Sequence, residues 1–146
     1  SPGDLYLVIG VGSTDSSDRL SSFSSRGPGI GTDTFPLQKP DISAPGSSVY
    51  SSYPTTDTSY ATLSGTSMAA PHVTGLVALL RAHNPSLTVD EITQILKDTA
   101  THNVGAPTGG QTTCAGVAYT DWPNYHYGYG RIDAIAALDA AAKLRK

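Results

Sequence analysis

Residues 63–80 read LSGTSMAAPHVTGLVALL, in which Ser67 stands among small residues just before a nearly all-apolar run. Pro71 has no backbone N–H, so it fits a helix only near the start, and the helix must begin close to Ser67. The apolar residues that follow are Val73, Leu76, Val77, Leu79 and Leu80. They leave no polar face wide enough for water, so we expect a helix over residues 67–83 that is enclosed by other layers of the fold.

Ser67 admits two interpretations. At a helix start, its own N–H and those just after it point outward with the positive end of the helix dipole, and they can stabilise an oxyanion built on the serine. Gly65 leaves room for a substrate carbonyl, while Ala69 and Ala70 allow close packing beneath the helix end. The alternative is that Ser67 is only the N-cap of the helix, a position that serine favours.

His72 lies too far along the predicted helix to act as a base for Ser67. Five residues correspond to about 7.5 Å of rise and about 140° of rotation, which puts the imidazole one turn deeper on another face. We therefore expect a buried structural histidine that is hydrogen-bonded within the core.

The residues before the serine motif predict short strands and loops. DLYLVIGVGS at residues 4–13 indicates a buried strand. Residues 14–40 are rich in Gly, Pro, Ser and Asp and indicate a loop, with at most a short strand around residues 20–23. DISAPGSSVYSSY at residues 41–53 predicts two brief strands around a Pro-Gly turn, with Val49 as the apolar anchor of the second.

Two amphipathic helices are predicted after the serine motif. The first has Thr88 as N-cap and Glu91 three residues later, which is the spacing of a capping box. Its expected buried face consists of Val89, Ile92, Ile95 and Leu96. The second has Asp133 as N-cap and ends in the basic KLRK at residues 143–146, which suits a helix C-terminus. Its expected buried face consists of Ile135, Leu138 and Ala142.

Residues 101–130 join these two helices and are rich in Gly, Pro and Tyr. The segment is too long for a plain connection, so we expect a binding loop, a cover, or both. Its Tyr and Trp residues could bind substrate, but packing of such residues against a helix is commoner. Cys114 lies in this segment and is the one cysteine of the sequence, so it is either free or bonded to a cysteine outside the chain.

The composition argues against nucleic acid and membrane partners. With 9 basic and 12 acidic residues the formal net charge is −3, and KLRK is the one basic run. The longest apolar stretch, VTGLVALL, is too short to cross a bilayer, and no leader segment opens the chain. Only 14% of the residues are charged, against about 25% in an average domain. This composition is typical of secreted enzymes, so we expect an extracellular protein without its signal peptide.

Four stretches carry a resemblance to a known family. GTSMAAPHVTG (65–75) closely resembles the nucleophile motif of the subtilisin-like serine peptidases, the subtilases. FSSRGP (23–28), KPDISAPG (39–46) and YGYGRIDAIAAL (127–138) resemble other motifs of that family, in the expected order. The resemblance implies a three-layer α/β fold with a mainly parallel sheet and helices on both faces, in which Ser67 begins the central helix.

In subtilases the catalytic triad runs Asp, His, Ser along the chain, and an Asn before the serine completes the oxyanion hole. Here every histidine and asparagine follows Ser67: His72, His83, Asn84, His102, Asn103, Asn124 and His126. The aspartates before Ser67 lack the family's sequence context: Asp4, Asp15, Asp18, Asp33, Asp41 and Asp57. Residues 1–146 therefore resemble the C-terminal part of one catalytic domain, and the triad Asp and His and the oxyanion Asn are expected from an absent N-terminal segment or chain.

The resemblance also implies roles for the residues around Ser67. Its hydroxyl would be the nucleophile of a serine endopeptidase and its backbone N–H one oxyanion donor. Ser64, Gly65 and Thr66 would lie beside the scissile bond, and Leu63 would line the leaving-group side. A serine without a base is a poor nucleophile, so this chain alone is predicted to be inactive. The reaction requires no cofactor.

Asp41 lies at a position that resembles a cation-site ligand in some subtilases. One carboxylate is far short of the about six to eight oxygens that calcium takes, so no metal site is predicted from this chain. The alternative role is an aspartate that fixes a loop through hydrogen bonds. Structural calcium elsewhere in a complete domain is compatible with the resemblance.

Three functions are compatible with these patterns. The first is a serine endopeptidase that this chain forms together with its N-terminal part. The second is an inactive fragment, and the third is a non-catalytic binding module that retains the subtilase core. The intact motif with Gly65, Thr66, Ser67 and Pro71 argues against the third, because a non-catalytic serine does not need those neighbours. The sequence does not decide between the first two.

Overall fold

A computed structural model describes residues 2–32 and 35–144. Asp33 and the last two residues of the KLRK run lie outside this range. The helices are a 3₁₀ turn at Pro2–Asp4, α1 (Thr66–His83), α2 (Val89–Asp98) and α3 (Ala134–Lys143). The strands are β1 (Val11–Thr14), β2 (Gly29–Thr32), β3 (Phe35–Leu37), β4 (Ile42–Pro45), β5 (Val49–Ser52), β6 (Tyr60–Leu63), β7 (Thr113–Cys114) and β8 (Val117–Ala118).

The strands of the described residues form four pairs. β1 and β4 run parallel, from Val11 opposite Ile42 to Thr14 opposite Pro45. β2–β3, β5–β6 and β7–β8 are antiparallel pairs. Helix α1 packs on β1 and β4, and α3 packs on α1, so the core lies between a parallel strand pair and its helices. This layering of helices on parallel strands is an α/β arrangement.

Helix α1 buries one face. Its buried residues are Ala69, Val73, Leu76 and Leu80, whose spacing of four, three and four places them on one stripe. The opposite face meets solvent, and Leu79 there is 53% exposed. The expectation of a helix enclosed on all sides is therefore wrong for the described residues, because the strands and α3 cover α1 from one side only. None of the described helices is long and apolar enough to cross a membrane.

The first strand is shorter than its apolar sequence predicts. β1 begins at Val11, whereas residues 5–8 form an exposed turn in which Leu7 is 89% exposed. Pairing with β4 begins at Val11, and the residues before it have no strand partner among those described. The short strand expected around residues 20–23 is reduced to a single bridge between Leu20 and Thr14, and the hairpin β2–β3 was not predicted.

The caps of the two amphipathic helices are confirmed, but their apolar faces are only partly as predicted. Thr88 and Glu91 form the capping box of α2, and the Asp133 side chain accepts a hydrogen bond from the N–H of Ala136 in α3. The buried residues are Ile92, Ile95 and Leu96 in α2, and Ala137 and Ala141 in α3. Val89, Ile135 and Ala142 are exposed instead, and Leu138 is half-buried. Small alanines face the core in α3 because they let that helix approach α1 closely.

The segment at residues 101–130 folds back on the body of the protein. Tyr127 is fully buried, and Trp122 packs against it at 6.1 Å between ring centroids. Trp122 also stacks on His102 at 4.1 Å. The Cys114 thiol is free and donates to the Gly27 carbonyl oxygen at 3.1 Å. Trp122 and Tyr127 therefore pack within the folded segment, in agreement with the commoner of the two alternatives, although they pack on each other and on His102 rather than on a helix.

Candidate active site

Ser67 is exposed and does not cap its helix. Gly65 is the N-cap of α1 in an extended conformation, and no side chain makes a capping bond there. The Gly65 carbonyl accepts from the N–H groups of Met68 at 2.9 Å and Ala69 at 3.3 Å. Ser67 is the second residue of the helix, and in the described part of the chain neither its hydroxyl nor its N–H is hydrogen-bonded. The capping interpretation is therefore wrong, and both groups are free to meet a ligand.

The start of α1 is fixed by the end of β4. The Gly65 N–H donates to the Gly46 carbonyl oxygen at 2.8 Å. A Cβ on Gly46 would stand 2.6 Å from the Gly65 carbonyl oxygen and would also collide with Ser13. Only glycine at position 46 permits this approach without displacement. Beside it, the Ser64 hydroxyl accepts from the N–H of Ser48 at 2.8 Å, which ties the strand before Gly65 to the turn after β4.

A cavity of about 380 Å³ opens beside Ser67. It lies between the β5–β6 hairpin and the first turns of α1. Its lining residues are Val49, Tyr50, Ser51, Ser52, Leu63, Ser67, Met68, Pro71 and His72. The structure thus brings together Leu63 and Ser67, both predicted as site residues. Ser64, Gly65 and Thr66 connect them along the chain.

The opposite wall of this cavity was not predicted. Tyr50 comes from β5, and its ring stacks on Tyr60 of β6 at 5.3 Å between centroids. Met68 follows Ser67 directly and lines the same cavity. The register of β5 and β6, with Val49 opposite Leu63 and Tyr50 opposite Thr62, brings this wall to the serine. The strand β5 agrees with the second brief strand predicted within residues 41–53, with Val49 as its anchor, whereas β6 was not predicted.

His72 is exposed, so the prediction of a buried core histidine is wrong. Its side chain lies on the exposed face of α1. Its Nδ1 donates to the carbonyl oxygen of Met68 at 2.9 Å, since a carbonyl can only accept. Among the described histidines it alone lines the cavity beside Ser67. His102 and His126 bond to carbonyl oxygens elsewhere.

Asp41 is surrounded by donors rather than by further acidic ligands. Its Oδ2 accepts from Lys39 Nζ at 2.6 Å and from the Gly10 N–H at 2.8 Å. Its Oδ1 pairs with Lys97 Nζ at 3.1 Å. The residues described here include no group of three or more His, Cys, Asp or Glu that could hold a metal ion. These surroundings do not fit a cation at Asp41 and agree with the alternative of an aspartate that fixes a loop.

Comparison with known proteins places these features in a family. The family model described as "Subtilase family" matches residues 1–130. Bacillopeptidase F of Bacillus subtilis (strain 168) is 40% identical over 140 residues, which are 96% of this chain and 9% of that protein. Subtilisin BL of Lederbergia lenta is 44% identical over 100 residues, which are 68% of this chain and 33% of that protein.

Solved structures agree with the sequence comparison. The CspB protease of Clostridium perfringens superimposes with a TM-score of 0.75 at 30% identity, over 99% of this chain and 29% of that one. The chain therefore spans a third or less of the length of these relatives. The fold is the α/β fold of subtilisin-like proteins, as the sequence motifs predicted.

Proposed function

Because the chain belongs to the subtilase family, we propose that it carries the nucleophile of a serine endopeptidase, Ser67, within the C-terminal part of one catalytic domain. The proposed reaction hydrolyses peptide bonds through an acyl-enzyme on the Ser67 hydroxyl. The triad Asp and His and the oxyanion Asn come from an N-terminal part of the same domain. The domain is proposed to act outside the cell, in keeping with the low content of charged residues.

The state of Ser67 carries this proposal. Gly65 provides the helix cap, so the serine hydroxyl is not needed to stabilise α1. The residue is exposed beside a cavity, and its N–H belongs to the first helical turn, which has no intrahelical partner. A free hydroxyl next to a free N–H at the positive end of a helix provides two of the groups that acyl transfer requires, the nucleophile and one oxyanion donor.

The chemistry assigns a task to each group. The histidine of the N-terminal part takes the Ser67 proton as Oγ attacks the carbonyl carbon of the substrate. The tetrahedral oxyanion receives hydrogen bonds from the Ser67 N–H and from the Asn side chain. The histidine then gives its proton to the leaving amine. In the second half of the reaction it takes a proton from the attacking water and returns it to Ser67 Oγ, as the acyl group leaves as a carboxylic acid. No cofactor takes part.

The substrate is proposed to lie along the segment before the serine. The backbone of Ser64, Gly65 and Thr66 borders the scissile bond, and Leu63 lines the leaving-group side. Leu63 is 41% exposed and lines the cavity beside Ser67, which supports its placement next to an incoming side chain.

Labelling of the intact protein with a fluorophosphonate tests the proposal. We expect one adduct, located by fragmentation on Ser67, because only a serine with an assembled base reacts. Ser67→Ala is expected to abolish labelling and to lower kcat by about 10⁶-fold, as removal of a triad serine does. Ser64→Ala is the matched control, since it removes a neighbouring hydroxyl and should retain labelling of Ser67.

The 146-residue chain by itself provides the complementary test. It should neither react with the fluorophosphonate nor cleave peptides, because it contains no histidine or asparagine before Ser67. Activity of Ser67→Ala at the parental level would refute the assignment. If the intact protein is folded but Ser67 is not labelled by the fluorophosphonate, the result would instead support the alternatives of an inactive fragment or a binding module.

A further inference from the structure

Lys39 is a buried lysine whose stem runs through a channel made by two glycines. The residue is 4% exposed. A Cβ on Gly29 would lie 2.9 Å from Lys39 Cγ, and one on Gly10 would lie 3.2 Å from Lys39 Cδ. The two missing side chains therefore make the room that the lysine stem fills. A buried ammonium is costly unless it is paired, so the contacts at its end matter.

The Lys39 ammonium binds the kinds of oxygen that a hard metal ion prefers. Its Nζ lies 2.6 Å from the Val8 carbonyl oxygen and 2.6 Å from Asp41 Oδ2. Backbone carbonyls and carboxylates are the usual ligands of calcium, at about 2.3–2.6 Å. The charge and the position that a bound cation would have are thus taken by a side chain of the chain itself.

We propose that Lys39 is a built-in cation that takes the place of a metal ion at Asp41. Lys97 pairs with the other carboxylate oxygen at 3.1 Å, and its ammonium also lies 4.9 Å from the centroid of the Tyr129 ring. Two ammonium groups on one carboxylate leave a local excess of positive charge. A metal ion between the Val8 and Asp41 oxygens would be opposed above all by Lys39, because the Lys39 ammonium already occupies that position.

The position of this ion pair gives it a structural task. Asp41 directly precedes β4, and it accepts from the N–H of Gly10, which directly precedes β1. The Gly10 carbonyl in turn accepts from the N–H of Asp41 at 2.8 Å. Lys39 therefore holds the beginning of the parallel pair β1–β4, and it does so without calcium, sodium or potassium.

The number of calcium ions bound to the intact protein, measured by equilibrium dialysis, tests the proposal. Asp41→Asn should bind as many calcium ions as the parent, because Asp41 is not a metal ligand. Lys39→Glu should bind one more, because it adds a carboxylate where the ammonium was. Loss of one calcium ion in Asp41→Asn, or no additional ion in a folded Lys39→Glu, would overturn the proposal.

Lys39→Met gives a second measurement should Lys39→Glu fail to fold. Methionine keeps an unbranched stem in the glycine channel and removes the charge. The melting temperature of this variant should be several degrees higher in potassium chloride than in tetramethylammonium chloride at equal ionic strength, because only the smaller cation fits between the Val8 and Asp41 oxygens. The parent and Lys143→Met, which removes an exposed ammonium in α3, should show no such preference. A Lys39→Met variant without the preference would contradict the proposal.

Discussion

Gly46 determines where Ser67 stands, although it lies in a different part of the chain. Its carbonyl accepts from the N–H of Gly65, the residue that begins α1. The space that a side chain at residue 46 would need is occupied by the Gly65 carbonyl oxygen and the Ser13 hydroxyl. The position of the proposed nucleophile therefore depends on the absence of a methyl group at residue 46.

Gly46→Ala should damage both stability and the proposed activity. The added Cβ would stand 2.6 Å from the Gly65 carbonyl oxygen, so the start of α1 must shift. We expect a loss of about 1–3 kcal/mol in the free energy of unfolding, measured with urea, which is typical of overpacking. The control is Gly75→Ala, a change within α1 itself. A Cβ there meets nothing within 4 Å, and the change should stabilise by about 0.5–1 kcal/mol. A Gly46→Ala variant as stable as the parent would contradict this account.

His126 is a buried neutral histidine in the segment at residues 101–130. It is fully buried, and its Nε2 donates to the Gln111 carbonyl oxygen at 3.1 Å. Its Nδ1 has no hydrogen-bond partner within the described part of the chain. Burial lowers the pKa of His126, and the Arg26 guanidinium nearby lowers it further, while the bond to Gln111 acts in the opposite direction. Protonation of His126 would add a positive charge near that of Arg26, and the new N–H at Nδ1 would have no acceptor among the described residues.

The protein should therefore lose stability as the pH falls below about 6.5, the ordinary pKa of histidine. The unfolded chain takes up a proton there before His126 in the folded protein does, so unfolding is favoured by acid. The loss is at most about 1.4 kcal/mol per pH unit, and it ends below the pKa of the folded state. In His126→Gln the urea midpoint should change less between pH 7 and pH 5 than it does in the parent. In His72→Gln, a change at an exposed site, the midpoint should depend on pH as it does in the parent. Equal slopes in the parent and His126→Gln would disprove the role of this residue.

The elements show which sequence signals are sufficient to predict structure. Helix α2 begins where its capping box predicts, because Thr88 and Glu91 satisfy each other's backbone groups without help from the rest of the fold. The Thr88 N–H donates to Glu91 at 2.7 Å, and the Glu91 N–H donates to Thr88 Oγ1 at 3.2 Å. Such local bonds are encoded within four residues and can be recognised in the sequence.

Thr88→Ala should remove this start signal. We expect the free energy of unfolding to fall by about 1 kcal/mol, the typical cost of losing an N-cap, without a change in the fold. Thr93→Ala is the matched control in the same helix, because the Thr93 hydroxyl only donates to the Val89 carbonyl within the helix. Urea denaturation of the two variants should separate them, and equal midpoints would show that the box does not stabilise α2.

Helix faces and hairpins were harder to predict because distant contacts select them. In α3 the larger residue Ile135 is 76% exposed, while Ala137 and Ala141 are buried. We predicted Ile135 to be buried because its apolar side chain is large, but the space left beside α1 accepts only small side chains. The strands β2 and β3 lacked the alternation that identifies a strand, since Ile30 is 87% exposed and glycines flank it. β2 and β3 pair through backbone hydrogen bonds, which the pattern of side chains in the sequence does not predict.

In the candidate site, too, features encoded by neighbouring residues could be predicted, whereas features set by distant contacts could not. Ser67 and Leu63 are predicted as site residues from one contiguous stretch, and the structure places both at one cavity. Their roles in catalysis and substrate binding stay predictions. The cap at Gly65 and the exposure of His72 could not be predicted, since both depend on how α1 meets the strands. Tyr50 reaches the cavity only through the register of β5 and β6.

At the scale of the whole molecule, Tyr127 ties the segment at residues 101–130 to the body of the protein. Its hydroxyl accepts from the N–H of Leu20 and donates to the Gly105 carbonyl oxygen at 2.8 Å. Burial raises the pKa of Tyr127 to about 12, so the hydroxyl keeps its proton under all ordinary conditions. One phenol thus joins two loops that are far apart in the sequence.

Tyr127→Phe should loosen this connection without emptying the core. The ring remains, but the buried N–H of Leu20 loses its acceptor, which costs about 1–3 kcal/mol. Hydrogen–deuterium exchange should therefore accelerate around residues 18–21 and 104–108, where the hydroxyl is bonded. The elements α1 and β4, to which the hydroxyl is not hydrogen-bonded, should exchange as in the parent. Tyr125→Phe is the control in the same segment, because the Tyr125 hydroxyl makes no hydrogen bond within the described part of the chain. Unchanged exchange at Leu20 in Tyr127→Phe would mean that ring packing against Trp122, rather than the hydroxyl, holds the segment in place.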